Sequence, residues 1–283
     1  MGRLLQAFRR SRAKPAAPRE RERQAVYVGA NRVLTTTIHG QPLYVDARDL
    51  SLSPQLILNG NWEPGVTRAL RSLVKPGMTV VEIGANVGWF TTLLGRLVGP
   101  RGCLRAFEAN PEIFDLLVAN IDINGLIPFV RGERMLVCDS CGEREITLLE
   151  RHRGSGSMLS FTDAFVALYH DEKTTIAVPA TTLDAYWRDE TRPIDLVKMD
   201  AEGSEPLIID GMPGILAQPH LTVVCEFLKP FFTAAGPSPE AFLAAMLERG
   251  FALHRISERG DILPVSTQEV LASDDGAELV FKK

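Results

Sequence analysis

From residue 78 onward, short apolar runs alternate with amphipathic stretches. TVVEIG, CLRAFE, IDLVKMD (194–200) and LTVVCEF (221–227) have the length and composition of buried strands. Between them, WFTTLLGRLV, PEIFDLLVANIDING and residues 205–217 carry the spacing of helices. Further strands are expected near 134–138 and over 144–150 (REITLLE). Strands that alternate with helices imply a parallel sheet covered on both faces. The end of the chain breaks this rhythm. A helix over 238–249 stops at Gly250, and two strand-like runs, FALHRIS and AELVFKK, follow with no helical pattern between them. They predict an antiparallel pair closing the sheet. Ahead of the alternation, Val33 to Asp46 reads as a hairpin turning near His39-Gly40, with helices over 53–60 and 63–74. No internal repeat is present.

The pattern divides the chain into a leader (1–24), a hairpin-and-helix segment (25–75) and a main α/β domain (76–283). At 283 residues, 45% hydrophobic and 23% charged, the composition is that of a globular chain with room for a substantial core. No run of about 18 apolar residues suggests a membrane span, and no signal-peptide pattern opens the sequence. The four cysteines form no evident disulfide framework, so the expected location is the cytoplasm. The leader has eight Lys/Arg against two Glu, a net +6, which leaves −10 for the rest of a chain whose total is −4. An acidic body argues against nucleic acid as the partner. The basic leader, with Leu4, Leu5 and Phe8, suits weak contact with anionic lipid or a protein, or plain solvation as a disordered arm.

The candidate chemistry begins at VVEIGANVGWF. A dinucleotide fingerprint starting at Gly84 would need glycines where Asn86 and Trp89 stand, and no Walker loop is present. What remains is Glu82, Gly84 and Gly88 in a turn between strand and helix. That arrangement suits a ligand with an amino-acid end and a nucleoside end but no pyrophosphate. Glu82 is placed to accept from an ammonium, and the two glycines let the ligand approach the backbone. Glu108, 24 residues after Gly84, is placed to bind ribose hydroxyls, and Asp139, after the expected third strand, an adenine amino group. Together these features describe S-adenosylmethionine. Each also has a local reading: Asn86 and Glu108 as helix-start residues, Asp139 as a turn residue.

EIGANVGWFT, AFEANPEIFDLLVANIDING, TTLDAYW and IDLVKMDAEGSEPLIIDGMPGIL together resemble the FkbM family of S-adenosylmethionine-dependent methyltransferases. NGNWEPGVTRAL and VVCEF also fit, so the resemblance spans roughly residues 33–281. It implies a class I, Rossmann-like fold: a seven-stranded, mostly parallel sheet with a reversed last strand. It also implies O-methylation of a sugar, glycan or polyketide-type hydroxyl, with carboxyl methylation or non-catalytic cofactor binding as alternatives. FEANP stands where the family has FEPNP, which leaves Glu108 in place. The resemblance adds Ala85, Asn86, Thr91, Ala109 and Asn110 to the cofactor set. It makes Asp200, Glu202 and Glu226 the expected catalytic groups, with Asp200 also beside the cofactor.

Glu63, in NWEP, is expected to begin a helix over the cofactor, and either reaches its methionine end or serves only as the helix start. Methyl transfer to an alcohol needs its proton weakened or removed, by a base or by a metal. Two or three carboxylates would suit Mg²⁺, but the favoured reading is a metal-free base, Asp200. Cys138-x-x-Cys141 is half of a zinc pattern with no second half. His152 and His170 lie in a Gly/Ser-containing insert and are read as solvated.

Overall fold

The computed structural model describes residues 24–154, 170–229, 238–273 and 276–283. The leader and parts of the insert therefore lie outside the described residues. Three strands, β1 (Val26–Gly29), β2 (Arg32–Thr36) and β3 (Pro42–Asp46), form a small antiparallel sheet. The expected hairpin is β2–β3, and Gly40 N–H closes its turn on the Thr37 carbonyl at 2.9 Å. Helices α1 (Ser53–Asn59) and α2 (Pro64–Leu73) follow.

The main sheet opens with β4 (Thr79–Ile83), α3 (Trp89–Val98), β5 (Cys103–Phe107), α4 (Pro111–Ile123) and β6 (Val130–Glu133). It resumes at β10 (Leu196–Met199), crosses through α6 (Glu205–Asp210) and α7 (Pro213–Leu216) to β11 (Thr222–Phe227), and passes along α8 (Pro239–Glu248) to β12 (Ala252–Ile256). A short β13 (Ile262–Pro264), α9 (Thr267–Ala272) and the last strand, β14 (Ala277–Lys282), complete it. The strand order is β13-β12-β14-β11-β10-β4-β5-β6. β14 inserts antiparallel between β11 and β12, as the closing pair predicted. The main sheet thus has eight strands rather than seven: β4, β5, β6, β10 and β11 run parallel, β14 is reversed, and β13 lies at the edge.

Several expectations shift. The third strand is Val130–Glu133, not 134–138. It is an outer strand whose exposed Arg131 hides the strand pattern. The apolar pair that suggested 134–138 is β7 (Leu136–Val137), which pairs instead with β9 (Lys173–Thr181). β9 also pairs antiparallel with β8 (Gly142–Leu149), so REITLLE belongs to a separate three-stranded sheet. A short helix, α5 (Leu183–Tyr186), follows β9, with Thr182 capping it through its side chain. The single helix expected over 205–217 is two, because Gly211 packs hard against the Cys138 carbonyl and Pro213 starts the second.

The core lies on both faces of the main sheet. On one, Val80, Leu196, Val224 and Val280 pack with α2, α3 and α4 through Leu70, Phe90, Leu94 and Leu117. On the other, Val81, Val197, Val223 and Phe281 pack with Ile208, Leu216, Phe242 and Met246. β4 is buried along all five residues, which is why it reads as an apolar run, and the acid inside it, Glu82, is 1% exposed. Asn120 ties the small sheet to the main domain. It accepts from Tyr44 N–H at 2.6 Å and donates to the Tyr44 and Val87 carbonyls at 2.8 and 2.7 Å.

Candidate active site

The strand order reverses direction between β4 and β10. From β4 the chain runs outward through β5 and β6, then returns to the far side of β4. Open α/β sheets bind ligands at the carboxyl ends of the strands beside such a switch point. A cleft opens there, lined by Trp62, Gly84, Phe90, Glu108, Asp200 and Glu226 among others. Gly84 adopts φ +77°, and a Cβ on it would collide with the Asp200 carbonyl oxygen. The glycine is therefore required by the closeness of β4 and β10 as well as by its own backbone angle.

Of the residues proposed from sequence, Glu63, Gly84, Ala85, Asn86, Glu108, Ala109, Asn110, Asp200, Glu202 and Glu226 all line this cleft. Glu108 is held by backbone donors. Asn86 N–H reaches Oε2 and Asn110 N–H reaches Oε1, each at 2.8 Å, and Ala109 N–H adds to them. Together they orient the carboxylate toward the cleft. Burial pushes the Glu108 pKa up to about 7, against these N–H bonds. The local readings of two residues separate here. Asn110, not Glu108, caps α4, its side chain accepting from Glu112 N–H at 3.1 Å. Asn86 does not cap α3, whose N-cap is Gly88. Its side chain instead donates to the Gly154 carbonyl at 3.1 Å and accepts from Val87 N–H at 2.7 Å.

Glu82, Gly88, Thr91 and Asp139 do not line the cleft. Glu82 lies behind the turn, where Thr91 donates its hydroxyl to Oε2 at 2.6 Å and Oε1 is buried without a partner. Burial raises its pKa to about 7. Gly88 starts α3 at φ +91°, against the Leu117 side chain. Asp139 stands exposed after β7, outside the main sheet, and accepts from the Ser140 hydroxyl at 2.7 Å. The placement that motivated it, after the third main-sheet strand, does not hold, because that strand ends at Glu133.

The catalytic candidates share an acidic environment. Burial, then the Asp200 and Glu278 charges, push Glu226 up to about 10. Burial and Asp200 likewise raise Glu63 to about 7. Glu63 and Glu202 take left-handed backbone angles, φ 39° and 50°, that few L-residues adopt. Glu63 is the residue before Pro64 at the start of α2, as the sequence suggested. Below them lies Lys198, 3% exposed, its ammonium 3.2 Å from Asp200 Oδ2 and 4.6 Å from the centre of the Phe90 ring. Neither Lys198 nor Glu278 was singled out from sequence. A lysine inside the apolar run IDLVKMD was the available signal, since a buried lysine needs an acidic partner.

The cleft's outer wall comes from Ser51, Leu52, Trp62 and Glu63 around α1 and α2 and from Ile146 and Gly154 of the insert. Asp49 accepts from Leu52, Ser53 and Arg153 N–H, which joins the start of α1 to the end of β8 beside the cleft residues Ser51 and Gly154. His152 is not simply solvated, since its Nδ1 lies 2.7 Å from Asp171 Oδ2. His170 remains exposed. Cys138 is buried and Cys141 exposed, and both are free thiols. Among the described residues, no group of three or more His, Cys, Asp or Glu is arranged to hold a metal ion, and no helix is long and apolar enough to cross a membrane.

The family model described as "Methyltransferase FkbM domain" matches residues 82–253. No curated protein matches the chain. Solved structures similar to it include an O-methyltransferase from Bacillus cereus in complex with SAH, 14% identical over 79% of this chain and 83% of that one, with a TM-score of 0.46. Another is the O-methyltransferase TomG from Streptomyces achromogenes, in complex with SAM, 16% identical over 77% and 79% at a TM-score of 0.44. A methyltransferase FkbM from Methylobacillus flagellatus is 9% identical over 72% of this chain and 43% of that one, also at 0.44.

Proposed function

This chain belongs to the FkbM family of methyltransferases, and from that premise we propose that it methylates a hydroxyl of a sugar, glycan or polyketide-type small molecule. The donor is S-adenosylmethionine, which when bound supplies an electrophilic methyl on a sulfonium. Glu108, oriented by Asn86 and Asn110, takes the two ribose hydroxyls. The Gly84–Ala85–Asn86 turn admits the ligand beside the backbone, and Glu63 faces its amino-acid end. Glu82, Thr91 and Gly88 support that turn from behind. Residues 25–75 cover the site through Ser51, Leu52, Trp62 and Glu63.

The acid lining of the cleft carries the choice of acceptor. Asp200, Glu202, Glu226 and Glu63 surround the space beyond the turn. A carboxylate acceptor would add a negative charge to a site where acids already raise one another's pKa, whereas a neutral hydroxyl adds none. With the donor bound, Asp200 would take the hydroxyl's proton, and the C–O bond would form as the methyl–sulfur bond breaks to release neutral S-adenosylhomocysteine. Glu226 and Glu202 orient the acceptor. The reading is metal-free, supported by Lys198, whose ammonium already occupies the position beside Asp200.

Two measurements test it. Calorimetry should show binding of S-adenosylhomocysteine and none of NAD, and the reverse result rejects the reading. Transfer of labelled methyl to an extract of the source organism should then yield a methyl ether, and a methyl ester as product would select the carboxyl alternative.

Glu108→Ala follows from the same assignment. Two hydrogen bonds to a charged acceptor, worth roughly 1.5–3 kcal/mol each, should be lost, which weakens S-adenosylhomocysteine binding at least about tenfold. An unchanged dissociation constant would remove Glu108 from the cofactor site.

A further inference from the structure

Sheet register sets three acids side by side. Glu226 on β11 pairs directly with Glu278 on β14. On the other side, β10 runs parallel to β11 with Met199 opposite Cys225, and one residue further along the same register Asp200 comes beside Glu226. Residues two apart share a face of a strand. Asp200, Glu226 and Glu278 therefore form one row on the face covered by α2 and α3. The row beneath holds Lys198, opposite Glu82 on β4 and Val224 on β11.

Directly opposed residues on an antiparallel pair have Cβ atoms about 4.5–5.5 Å apart, and like charges there repel. Three such acids cannot all ionise in a half-buried row. The elements around the row add further acids: Glu63 from the start of α2, Glu82 from β4, Glu108 after β5, Glu202 in the loop after β10 and Glu205 from α6, while α3 adds the apolar Phe90. The cation among them is Lys198, in contact with Asp200 and stacked against Phe90 of α3.

We propose that Lys198 is a positioning residue for methyl transfer: from the row beneath, it reserves the charged form for Asp200 and leaves the proton of the crowded row to Glu226 and Glu278. The inference rests on Asp200 being the base, since a base must be unprotonated when the acceptor hydroxyl arrives. Without the lysine, Asp200 would be one more acid competing for the shared proton. The acids on either side support the assignment. Burial raises the pKa of Glu278 well above that of an ordinary carboxyl, and Glu63 and Asp200 raise it further. Burial opposes charge on Lys198, yet Asp200, Glu82, Glu63 and Glu278 together raise its pKa.

The test needs neither donor nor acceptor, so it is independent of the reading it refines. Aspartate is labelled with ¹³C at the side-chain carboxyl, and the Asp200 resonance is assigned by its disappearance in Asp200→Asn. The wild-type resonance, followed over the same pH series as the variants, is the reference. In Lys198→Met it should move toward the protonated position relative to the wild-type protein at the same pH, because loss of the cation and the nearby acids both favour the protonated form. Lys198→Arg, which keeps the charge, should restore the wild-type behaviour. If Lys198→Met does not fold, Lys198→Met/Glu278→Gln removes an acid together with the cation and carries the same measurement. An Asp200 resonance that does not change on loss of Lys198 overturns the proposal. Failure to bind S-adenosylhomocysteine would instead count against the cofactor assignment.

Discussion

Gly84→Ala should abolish S-adenosylhomocysteine binding and lower the melting temperature by roughly 10 °C or more, given about 2–4 °C per kcal/mol for a domain of this size. Two costs add. The backbone sits at φ +77°, where a side chain costs about 1–2 kcal/mol. The new methyl would also lie 3.0 Å from the Asp200 carbonyl carbon and closer still to its oxygen. Neither partner is a side chain able to swing aside. The ends of β4 and β10 would have to separate, and with them the turn and the acid that face each other across the cleft. A total above about 4 kcal/mol, at the far end of ordinary point changes, is expected. Gly88→Ala is the informative comparison. Its φ is also positive, but its Cβ would meet the Leu117 Cδ1 atom at 2.8 Å, and a leucine can shift. Gly40→Ala, with nothing within 4 Å, isolates the cost of the backbone angle alone. Thermal melts of the three should rank Gly84, Gly88, Gly40. A Gly84 variant no worse than the Gly40 variant would show that the close approach does not matter.

Asp200→Asn should reduce turnover by roughly 10²–10⁴-fold, the usual contribution of a positioned base. The amide is close in shape but takes up no proton. S-adenosylhomocysteine should still bind, which separates loss of chemistry from loss of the site. The substitution also removes the Lys198 partner, so thermal melts belong beside the kinetics. With the acceptor identified by labelled transfer, turnover should also survive EDTA, since the ammonium of Lys198 sits where a cation would otherwise stand by Asp200. Loss of activity on chelation with recovery on adding Mg²⁺ would replace the base by a metal. Full activity in Asp200→Asn would remove Asp200 from the reaction under either scheme.

The parts of this protein legible in its sequence are those encoded by neighbours along the chain. β4 reads as a strand because all five of its residues are buried, and Gly84 and Gly88 mark the turn after it because only glycine takes those angles cheaply. Glu108 and Asp200 could be found the same way, each one step past the end of a buried apolar run. The closing β12–β14 pair was legible from its two strand patterns, although the expectation that no helix separates them was wrong: β13 and α9, the latter started by the Ser266/Glu269 capping box, lie between them. Where an outer strand carried polar residues, as at Val130–Glu133, the pattern failed and the apolar pair beside it drew the assignment, which displaced Asp139 from the site it was expected to join.

Tertiary structure alone decided which distant residues share a face. Lys198, Glu226 and Glu278 lie on three strands far apart in sequence, and only the insertion of β14 beside β11, in one particular register, sets Glu278 against Glu226. A slip of one residue would turn Glu278 to the opposite face. The charge state of the site follows from that register, because it depends on distances between acids that no local pattern records. The sequence by itself marked a glycine turn after β4 and an acid, Asp200, one step past β10. The order and register of the strands determined how many acids crowd Asp200 and which cation stands beneath it.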